Sequence, residues 1–280
     1  MKENKIWNDY LPEDMQEHWT VYECLKESED SSTFLVKETV TGILCVLKWG
    51  RNRQAEFLRN EMEIMEKMAD RKLSGVPKAY RIFEENGEVY LVREYIEGMS
   101  LAQMVLQKGG ISEAEICRIS RKICQTAEQF QNPDEPMIHR DIKPENIVVT
   151  PGGEVVFIDF GTMRSYKKDG SRDTFVVGTR GTAAPEQYGY IQTDQRTDVY
   201  AIGQTMLYMV SESYEMNQLS ECAVSRRMKK IIEKACSFEP DKRYGDAAQL
   251  RRAVEKCQAN NRKKAVSYTH LRAHETLRHL

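Results

Sequence analysis

Hydrophobic and polar residues alternate along the first third of the chain, and this alternation predicts β-strands. Three such stretches follow one another, VYECL, FLVKE and ILCVLKW. Thr41-Gly42 lies between the last two and predicts a turn there.

A helix and a hairpin complete this region. In AEFLRNEMEIMEKMA the apolar residues recur at positions 57, 64, 65 and 68, which places them on one face of a helix. RIFEENGEVYLVREYI then alternates around Asn86-Gly87, a dipeptide typical of two-residue hairpin turns. We therefore expect a small β-rich domain with one helix over residues 19–97, preceded by an N-terminal extension at 1–18.

The periodicity changes to that of helices after Gly98. ISEAEICRISRKICQTAEQF predicts an amphipathic helix with Ser112 as its N-cap and Glu115 three residues later. Further helical patterns lie near 197–211, 226–236 and 246–259. The prediction is an α+β protein whose second, larger domain covers residues 98–258 and is mainly helical.

The remaining segment, 259–280, is predicted to be a linker and a non-native tail. Its last residues, VSYTHLRAHETLRHL, hold three of the five histidines and bring no acidic or thiol partner in metal-ligand spacing. They resemble translated read-through of a sequencing adapter, so we exclude them from the prediction of the fold.

Composition narrows the classes of function. The net charge of -2 gives no indication of a nucleic-acid partner, and no apolar run reaches the length of a membrane span. The seven cysteines include no C-x-x-C pair, as expected for thiols in a reducing compartment. These features predict a cytoplasmic location.

The densest chemistry lies in MIHRDIKPENIVVTPGGEVVFIDFG, residues 137–161. NIVV and EVVFI read as two strands joined by TPGG, and Asn146 and Asp159 are equidistant from that turn. Residues equidistant from a hairpin turn lie side by side, so an amide oxygen and a carboxylate are expected to meet. Two hard oxygen ligands suit Mg²⁺, and Asp141 and Lys143 directly precede them.

At this point the chain resembles a known family: HRDIKPEN followed by DFG is similar to the catalytic loop and metal-binding signature of protein kinases. Lys48 ends a strand in CVLK, and AAPE closes the segment that begins at Asp159. The resemblance covers about residues 20–257 and implies a bilobal fold, with a small β-rich N-lobe containing one key helix and a larger, mainly helical C-lobe.

Lys143 in DIKPEN and Thr179 in GTRGTAAPE resemble the serine/threonine type, in the compact form found in eukaryotic-like kinases of bacteria. By this resemblance Asp141 orients the substrate hydroxyl and accepts its proton, and Lys143 neutralises charge on the transferred phosphoryl group. Asn146 and Asp159 are the implied ligands of Mg²⁺, with Mn²⁺ as an alternative ion.

The nucleotide site is predicted around Lys48. Strand alternation places Val46 and Lys48 on one face, where the family packs the former on adenine and directs the latter to the phosphates. Glu61 falls on the apolar stripe of the predicted helix, where a buried carboxylate requires a cation, and Lys48 is the family's partner. In the alternative, Glu61 lies at the solvent edge of the stripe and Glu63 pairs instead.

The resemblance also implies that backbone groups near Glu94 and Ile96 hydrogen-bond adenine. Arg93, which precedes them, occupies the position called the gatekeeper, and a cation there is unusual.

The phosphate-binding loop departs from the family pattern. Its three glycines fall on Lys26, Ser28 and Ser31 in KESEDS, which contains no glycine and adds acidic residues. Glycine lets backbone amides close over phosphates without interference from a Cβ atom. We therefore predict weaker nucleotide binding with the catalytic set intact.

Regulatory and structural residues follow from the same resemblance. Arg140 before the catalytic aspartate implies control by phosphorylation, for which Thr174 and Ser171 are the candidates; the alternative is a solvated loop with incidental basic residues. Asp198 is expected to anchor the catalytic loop. Glu186 and Arg243 are expected to form a structural ion pair.

Three hypotheses for function remain. The first is an ATP- and Mg²⁺-dependent serine/threonine protein kinase acting on protein hydroxyls, including its own. The second is a pseudokinase that holds nucleotide weakly because of its glycine-free loop. The third is a small-molecule phosphotransferase of related fold, against which Lys143 and the GT…APE segment argue.

Overall fold

The computed structural model describes residues 11–131, 135–166, 178–179, 181–189 and 192–259. The chain forms two compact units. The first contains Met1–Gly98 and Thr150–Met163, and the second contains Met99–Val149 and Arg164–Leu280. The sequence predicted contiguous domains, whereas the structure assigns a short distant segment to the first unit.

The elements are numbered in chain order. The strands are β1 Trp19–Glu27, β2 Ser31–Glu38, β3 Leu44–Gly50, β4 Ala79–Glu85, β5 Glu88–Glu94, β6 Met99–Ser100, β7 Met137–Ile138, β8 Ile147–Val149, β9 Val155–Phe157 and β10 Arg164–Ser165. The helices are α1 Glu13–Gln16, α2 Arg53–Asp70, α3 Leu101–Lys108, α4 Glu113–Phe130, α5 Gln195–Ser211, α6 Arg226–Ala235 and α7 over 247–259.

The first unit is built on an antiparallel sheet of five strands in the order β1-β2-β3-β5-β4. β4 and β5 are joined by Asn86 and Gly87, both at positive φ (51° and 82°), so the predicted hairpin is confirmed. The register of β3 and β5 places Val46 opposite Arg93 and Lys48 opposite Leu91.

Both faces of this sheet are covered. α2 packs on one face through a cluster that contains Ala55, Leu58, Val89 and Leu91. On the other face, residues of the N-terminal segment pack against strand residues in a second cluster, which includes Leu11, Met15, Trp19, Phe34, Leu47 and Tyr90. Residues 11–18, predicted as an extension, therefore contribute apolar side chains to the core of the first unit.

The second unit is mainly helical, with two small pairs of antiparallel strands, β6 with β8 and β7 with β10. α4 begins where the sequence predicts, because the Ser112 hydroxyl accepts a hydrogen bond from the Glu115 N–H at 3.3 Å. α5, α6 and α7 correspond to the three predicted helical patterns within two residues at each end. α3 was not predicted, although Ser100 and Gln103 form a capping box at its start.

No helix among residues 11–131, 135–166 and 192–259 combines the length and apolar character needed to cross a membrane.

Candidate active site

A buried ion pair in the first unit joins Lys48 of β3 to Glu61 of α2. The Lys48 Nζ donates to both carboxylate oxygens of Glu61, at 2.8 and 2.7 Å. Glu61 is only 1% exposed, and burial raises its pKa while the charge of Lys48 acts against that rise. Glu63 instead pairs with Lys67 on the exposed side of the helix at 2.8 Å. Of the two alternatives, the structure therefore selects Glu61.

Asp159 joins this pair from the segment after β9. Its Oδ1 lies 3.3 Å from the Lys48 Nζ, and its side chain is 43% exposed. The Asn60 side chain of α2 holds the following turn by donating to the carbonyl oxygens of Gly161 and Met163, at 2.9 and 2.8 Å. A Cβ atom at Gly161 would lie 3.1 Å from the Phe57 Cβ, so the close approach to α2 favours glycine there.

Val46, Glu94 and Ile96 lie where the sequence predicts, on β3, at the end of β5 and just beyond it. Val46 is 3% exposed, on the same face as Lys48. The Glu94 carboxylate accepts a hydrogen bond from the Lys78 N–H at 3.0 Å, and the Glu94 N–H donates to the Lys78 carbonyl at 2.8 Å. Glu94 is thereby fixed in the segment expected to contact adenine.

Arg93 is buried, with 3% of its surface exposed. Its Nη1 donates to the carbonyl oxygen of Glu94 at 2.9 Å. In the described part of the chain its Nε has no hydrogen-bond partner, and burial lowers its pKa.

The glycine-free loop forms a closed turn between β1 and β2. The Ser28 N–H and hydroxyl both donate to the Ser31 carbonyl, at 2.8 and 2.9 Å. Lys26 is not in the turn: it belongs to β1, opposite Thr33 of β2. The small serine side chains support a turn that the family builds with glycine.

Asp30 ties this turn to the segment between β3 and α2. Its Oδ1 accepts from the Arg51 Nε at 2.8 Å and from the Asn52 side chain at 3.1 Å. Arg51 also donates to the Glu29 carbonyl at 3.0 Å. One of the acidic charges expected to oppose a nucleotide is therefore paired with a cation.

In the second unit, three residues bind one another around Asp141. The Lys143 Nζ donates to the Asp141 Oδ2 at 2.7 Å and to the Thr179 hydroxyl at 2.6 Å. The Thr179 hydroxyl in turn donates to the Asp141 Oδ1 at 2.8 Å. The predicted base and cation thus both contact a threonine hydroxyl.

Asn146 lies beside this group, at the end of a 3-10 turn, and is 7% exposed. Its amide nitrogen donates to the Asp141 carbonyl and to the Asp141 Oδ2, at 3.0 and 2.9 Å. The amide oxygen is thereby left as the available acceptor. Asn146 belongs to the second unit and Asp159 to the first, so their joint role as metal ligands stays a prediction.

Taken separately, the Asn146 amide oxygen and the half-exposed Asp159 carboxylate are each hard oxygen ligands of the kind that Mg²⁺ prefers. Among the residues described by the structure, no group of three or more His, Cys, Asp or Glu could hold a metal ion.

Asp198 of α5 holds the backbone of the loop that precedes Asp141. Its two carboxylate oxygens accept the N–H groups of His139 and Arg140, each at 3.0 Å. Burial raises the pKa of Asp198 to about 6, and these two hydrogen bonds act against the rise. Arg140 has a φ of 66°, and its carbonyl accepts from the Gln187 side chain at 2.7 Å.

Glu186 and Arg243 form a second buried ion pair. Two parallel hydrogen bonds join them, at 2.7 and 2.9 Å, with side-chain exposures of 4% and 0%. The Thr197 hydroxyl also donates to Glu186 at 2.8 Å. The remaining donor capacity of Arg243 is directed at three carbonyl oxygens, those of Arg196, Ser237 and Phe238.

Two of the predicted regulatory residues, Ser171 and Thr174, lie outside the described residues. Sequence reasoning missed Asn60, Arg51 and Gln187, each of which holds a functional segment through hydrogen bonds. Of these three, only Asn60 could have been suspected from the sequence, because it is a polar residue directly before Glu61 in the predicted helix.

Known proteins resemble the chain over most of its length. A protein kinase domain matches residues 20–277. The chain is 29% identical over 218 residues to serine/threonine-protein kinase D of Synechocystis sp., covering 71% of this chain and 42% of that protein. It is 30% identical over 201 residues to serine/threonine-protein kinase B of the same organism, covering 64% and 34%.

A third relative is serine/threonine-protein kinase PknB of Mycolicibacterium smegmatis, 30% identical over 184 residues, with 58% of this chain and 29% of that protein covered. The chain thus spans less than half the length of these curated relatives. The matched domain nevertheless covers nearly the whole chain and includes each residue of the site described above. The chain belongs to the protein kinase family.

Proposed function

We propose that the chain is a protein serine/threonine kinase that transfers the γ-phosphoryl group of ATP to protein hydroxyls, including its own. The observation that carries this proposal is the Thr179 hydroxyl, bound by both Asp141 and Lys143. An aliphatic hydroxyl between a carboxylate and a lysine is the arrangement that a serine or threonine substrate requires for transfer.

The family uses ATP and a divalent metal ion, and we propose Mg²⁺, with Mn²⁺ as an alternative. When bound, ATP supplies the phosphoryl group and the metal ion positive charge for the phosphate oxygens. Lys48, positioned by Glu61, would bind phosphate oxygens, while Asp159 and Asn146 would offer oxygen ligands to the ion. Backbone groups near Glu94 and Ile96 would bind the base.

Asp141 orients the acceptor hydroxyl and takes its proton as the oxygen attacks phosphorus and the bond to ADP breaks. Lys143 stabilises the negative charge that develops on the transferred group. Asn146 holds Asp141 in place through two hydrogen bonds, so both oxygens of the base stay directed at Lys143 and the hydroxyl. The products are a phosphorylated hydroxyl, ADP and one proton on Asp141.

A pseudokinase is not favoured, because the Lys48–Glu61 pair and the Asp141 group are both formed. Although it has no glycine, the loop forms a closed turn through the hydrogen bonds between Ser28 and Ser31. We expect the missing glycines to lower the affinity for nucleotide and to leave the rate of the chemical step unchanged.

The proposed regulation is phosphorylation of Thr174 or Ser171, with Arg140 as the partner of the added phosphate. We further propose a protein substrate and a cytoplasmic location for this domain. The net charge of -2 supports a partner other than nucleic acid.

The test is the change Asp141→Asn in the full chain, incubated with Mg-ATP and a generic protein substrate. We expect the rate of phosphate addition, measured by intact mass, to fall at least about a hundredfold, since a general base contributes that much. Asp70→Asn, an exposed change at the end of α2, is the matched control and should leave the rate unchanged.

Two results would contradict the proposal. Equal phosphate addition by the parent and Asp141→Asn would exclude the assigned base. Transfer to a sugar or aminoglycoside hydroxyl but to no protein would indicate the small-molecule phosphotransferase.

A further inference from the structure

A buried guanidinium in the first unit lacks a neutralising contact. Arg93 is 3% exposed, and the contact that the structure gives its side chain is the bond from Nη1 to the Glu94 carbonyl. Among the described residues, no carboxylate oxygen lies within 4.0 Å of the Arg93 guanidinium nitrogens, the limit for an ion pair. The Arg93 Nε has no hydrogen-bond partner there. A buried cation without compensation is strongly unfavourable, so its charge must be balanced at longer range.

The strand register identifies the charges that balance it. Arg93 is opposite Val46 and Leu91 is opposite Lys48, so both cations lie on the same face of the sheet, one diagonal step apart. On this face Lys48 contacts Glu61 and Asp159. These same two carboxylates, and after them that of Glu94, keep the pKa of Arg93 from falling further under the effect of burial.

On this face of the sheet four side chains form a balanced set: two cations, Lys48 and Arg93, and two carboxylates, Glu61 and Asp159. Glu94 is the next residue along β5, and strand alternation places it on the opposite face. Without Arg93 a single lysine would face both carboxylates, and the set would carry a net charge of about -1. The second cation thus supplies, from the protein, the charge that a divalent ion at Asp159 would otherwise provide.

We propose that Arg93 is a positioning residue that balances Asp159 when no metal ion is bound, and so makes binding of the metal depend on nucleotide. The proposal rests on the proposed function in one respect, the role of Asp159 as a metal ligand. The positive charge of Arg93 opposes a divalent cation that arrives alone, whereas it attracts a polyphosphate. Metal and nucleotide therefore bind more favourably together than the metal binds by itself.

The test uses the full chain with Arg93→Met, which keeps much of the side-chain length and removes the charge. Binding of Mn²⁺ to nucleotide-free protein is measured by electron paramagnetic resonance, and binding of a fluorescent ATP analogue is measured in EDTA. We expect Mn²⁺ to bind about three- to tenfold more tightly and the metal-free nucleotide about three- to tenfold more weakly, the effect of removing one nearby charge.

Two further variants isolate the charge. Arg93→Lys keeps it and should bind both ligands as the parent does. Arg81→Met removes an exposed arginine from the neighbouring strand β4 and should change neither affinity.

Opposite shifts in the two affinities distinguish an electrostatic role from structural damage, which would weaken both. The proposal is overturned if Arg93→Met weakens both ligands, if the Mn²⁺ titrations of parent and variant coincide, or if Arg93→Lys behaves like Arg93→Met. Neither measurement requires phosphoryl transfer. If Arg93→Met shows the expected shifts relative to the parent but the parent transfers no phosphate, the proposed function is contradicted and this inference stands.

Discussion

The buried pair of Glu186 and Arg243 allows a quantitative prediction for the stability of the second unit. Replacing Arg243 by methionine removes both charged hydrogen bonds and leaves Glu186 as a buried carboxylate with Thr197 as its remaining donor. It also removes the donors that serve three carbonyl oxygens. The variant therefore isolates a charge and several acceptors in a site that has almost no contact with water.

The expected loss follows from these contacts. Breaking a buried pair by removing one partner costs about 3–5 kcal/mol, and the unsatisfied carbonyls keep this site from the low end of that range. We expect a loss of about 4 kcal/mol, a large part of the 5–15 kcal/mol typical of whole domains. With a urea m-value of about 2 kcal/mol/M, the midpoint should move down by about 2 M.

The assay follows from the placement of the tryptophans. Of the tryptophans, Trp19 lies in β1 and Trp49 in β3, so their fluorescence reports on the first unit, whereas helical circular dichroism comes largely from the second. The urea midpoint measured by circular dichroism should fall for Arg243→Met. Arg59→Met breaks a pair with Glu84 of similar geometry, two bonds of 2.8 Å, on an exposed surface. As the matched control it should show no resolvable change.

A second change tests the cause. Adding Glu186→Gln to Arg243→Met removes the stranded charge, so the double variant should regain about 2 kcal/mol over Arg243→Met alone. A loss below about 1 kcal/mol for the single variant, or a double variant less stable than the single one, would refute the reasoning from burial.

Two further predictions concern the supports of the site. Burial raises the pKa of Asp198 to about 6 from an ordinary 3.8, so its contribution to stability is fully present below pH 3.8 and is lost as pH rises through 6. The stability of the parent minus that of Asp198→Asn, from urea unfolding, should be greater at pH 5 than at pH 7.5 by about 1.4 kcal/mol; a difference independent of pH would contradict this. Arg51→Met should raise the KM for ATP about threefold at unchanged kcat, because it releases the turn and leaves Asp30 without a cation in the predicted phosphate-binding loop. Adding Asp30→Asn should reverse part of the increase in initial-rate titrations, and an unchanged KM would count against the role of the turn.

Local patterns in the sequence predicted much of the fold and the buried pair at Lys48. Alternation located the strands, and the helical stripe identified Glu61 as a residue that faces the core. These features are determined by residues a few positions apart, so the periodicity of burial is sufficient to reveal them.

Contacts between distant residues could not be predicted in the same way. Arg51 reaches Asp30 across 21 positions, and nothing in either neighbourhood indicates the other as its partner. Asn60 likewise binds two carbonyl oxygens of the segment 150–163, which lie more than 100 positions away. These links form only in the folded chain, and the sequence does not indicate them because every residue carries a backbone acceptor.

The backbone at Arg140 bears on how the catalytic loop came to have its present composition. A φ of 66° lies in the left-handed region, where a non-glycine residue costs of order 1–3 kcal/mol and glycine adopts the conformation freely. For the backbone of the loop alone, glycine would thus be the more stable residue at this position. An arginine at this position therefore lowers the stability of the loop. This cost favours a role for the Arg140 side chain in binding a negatively charged group over a purely structural role in the loop.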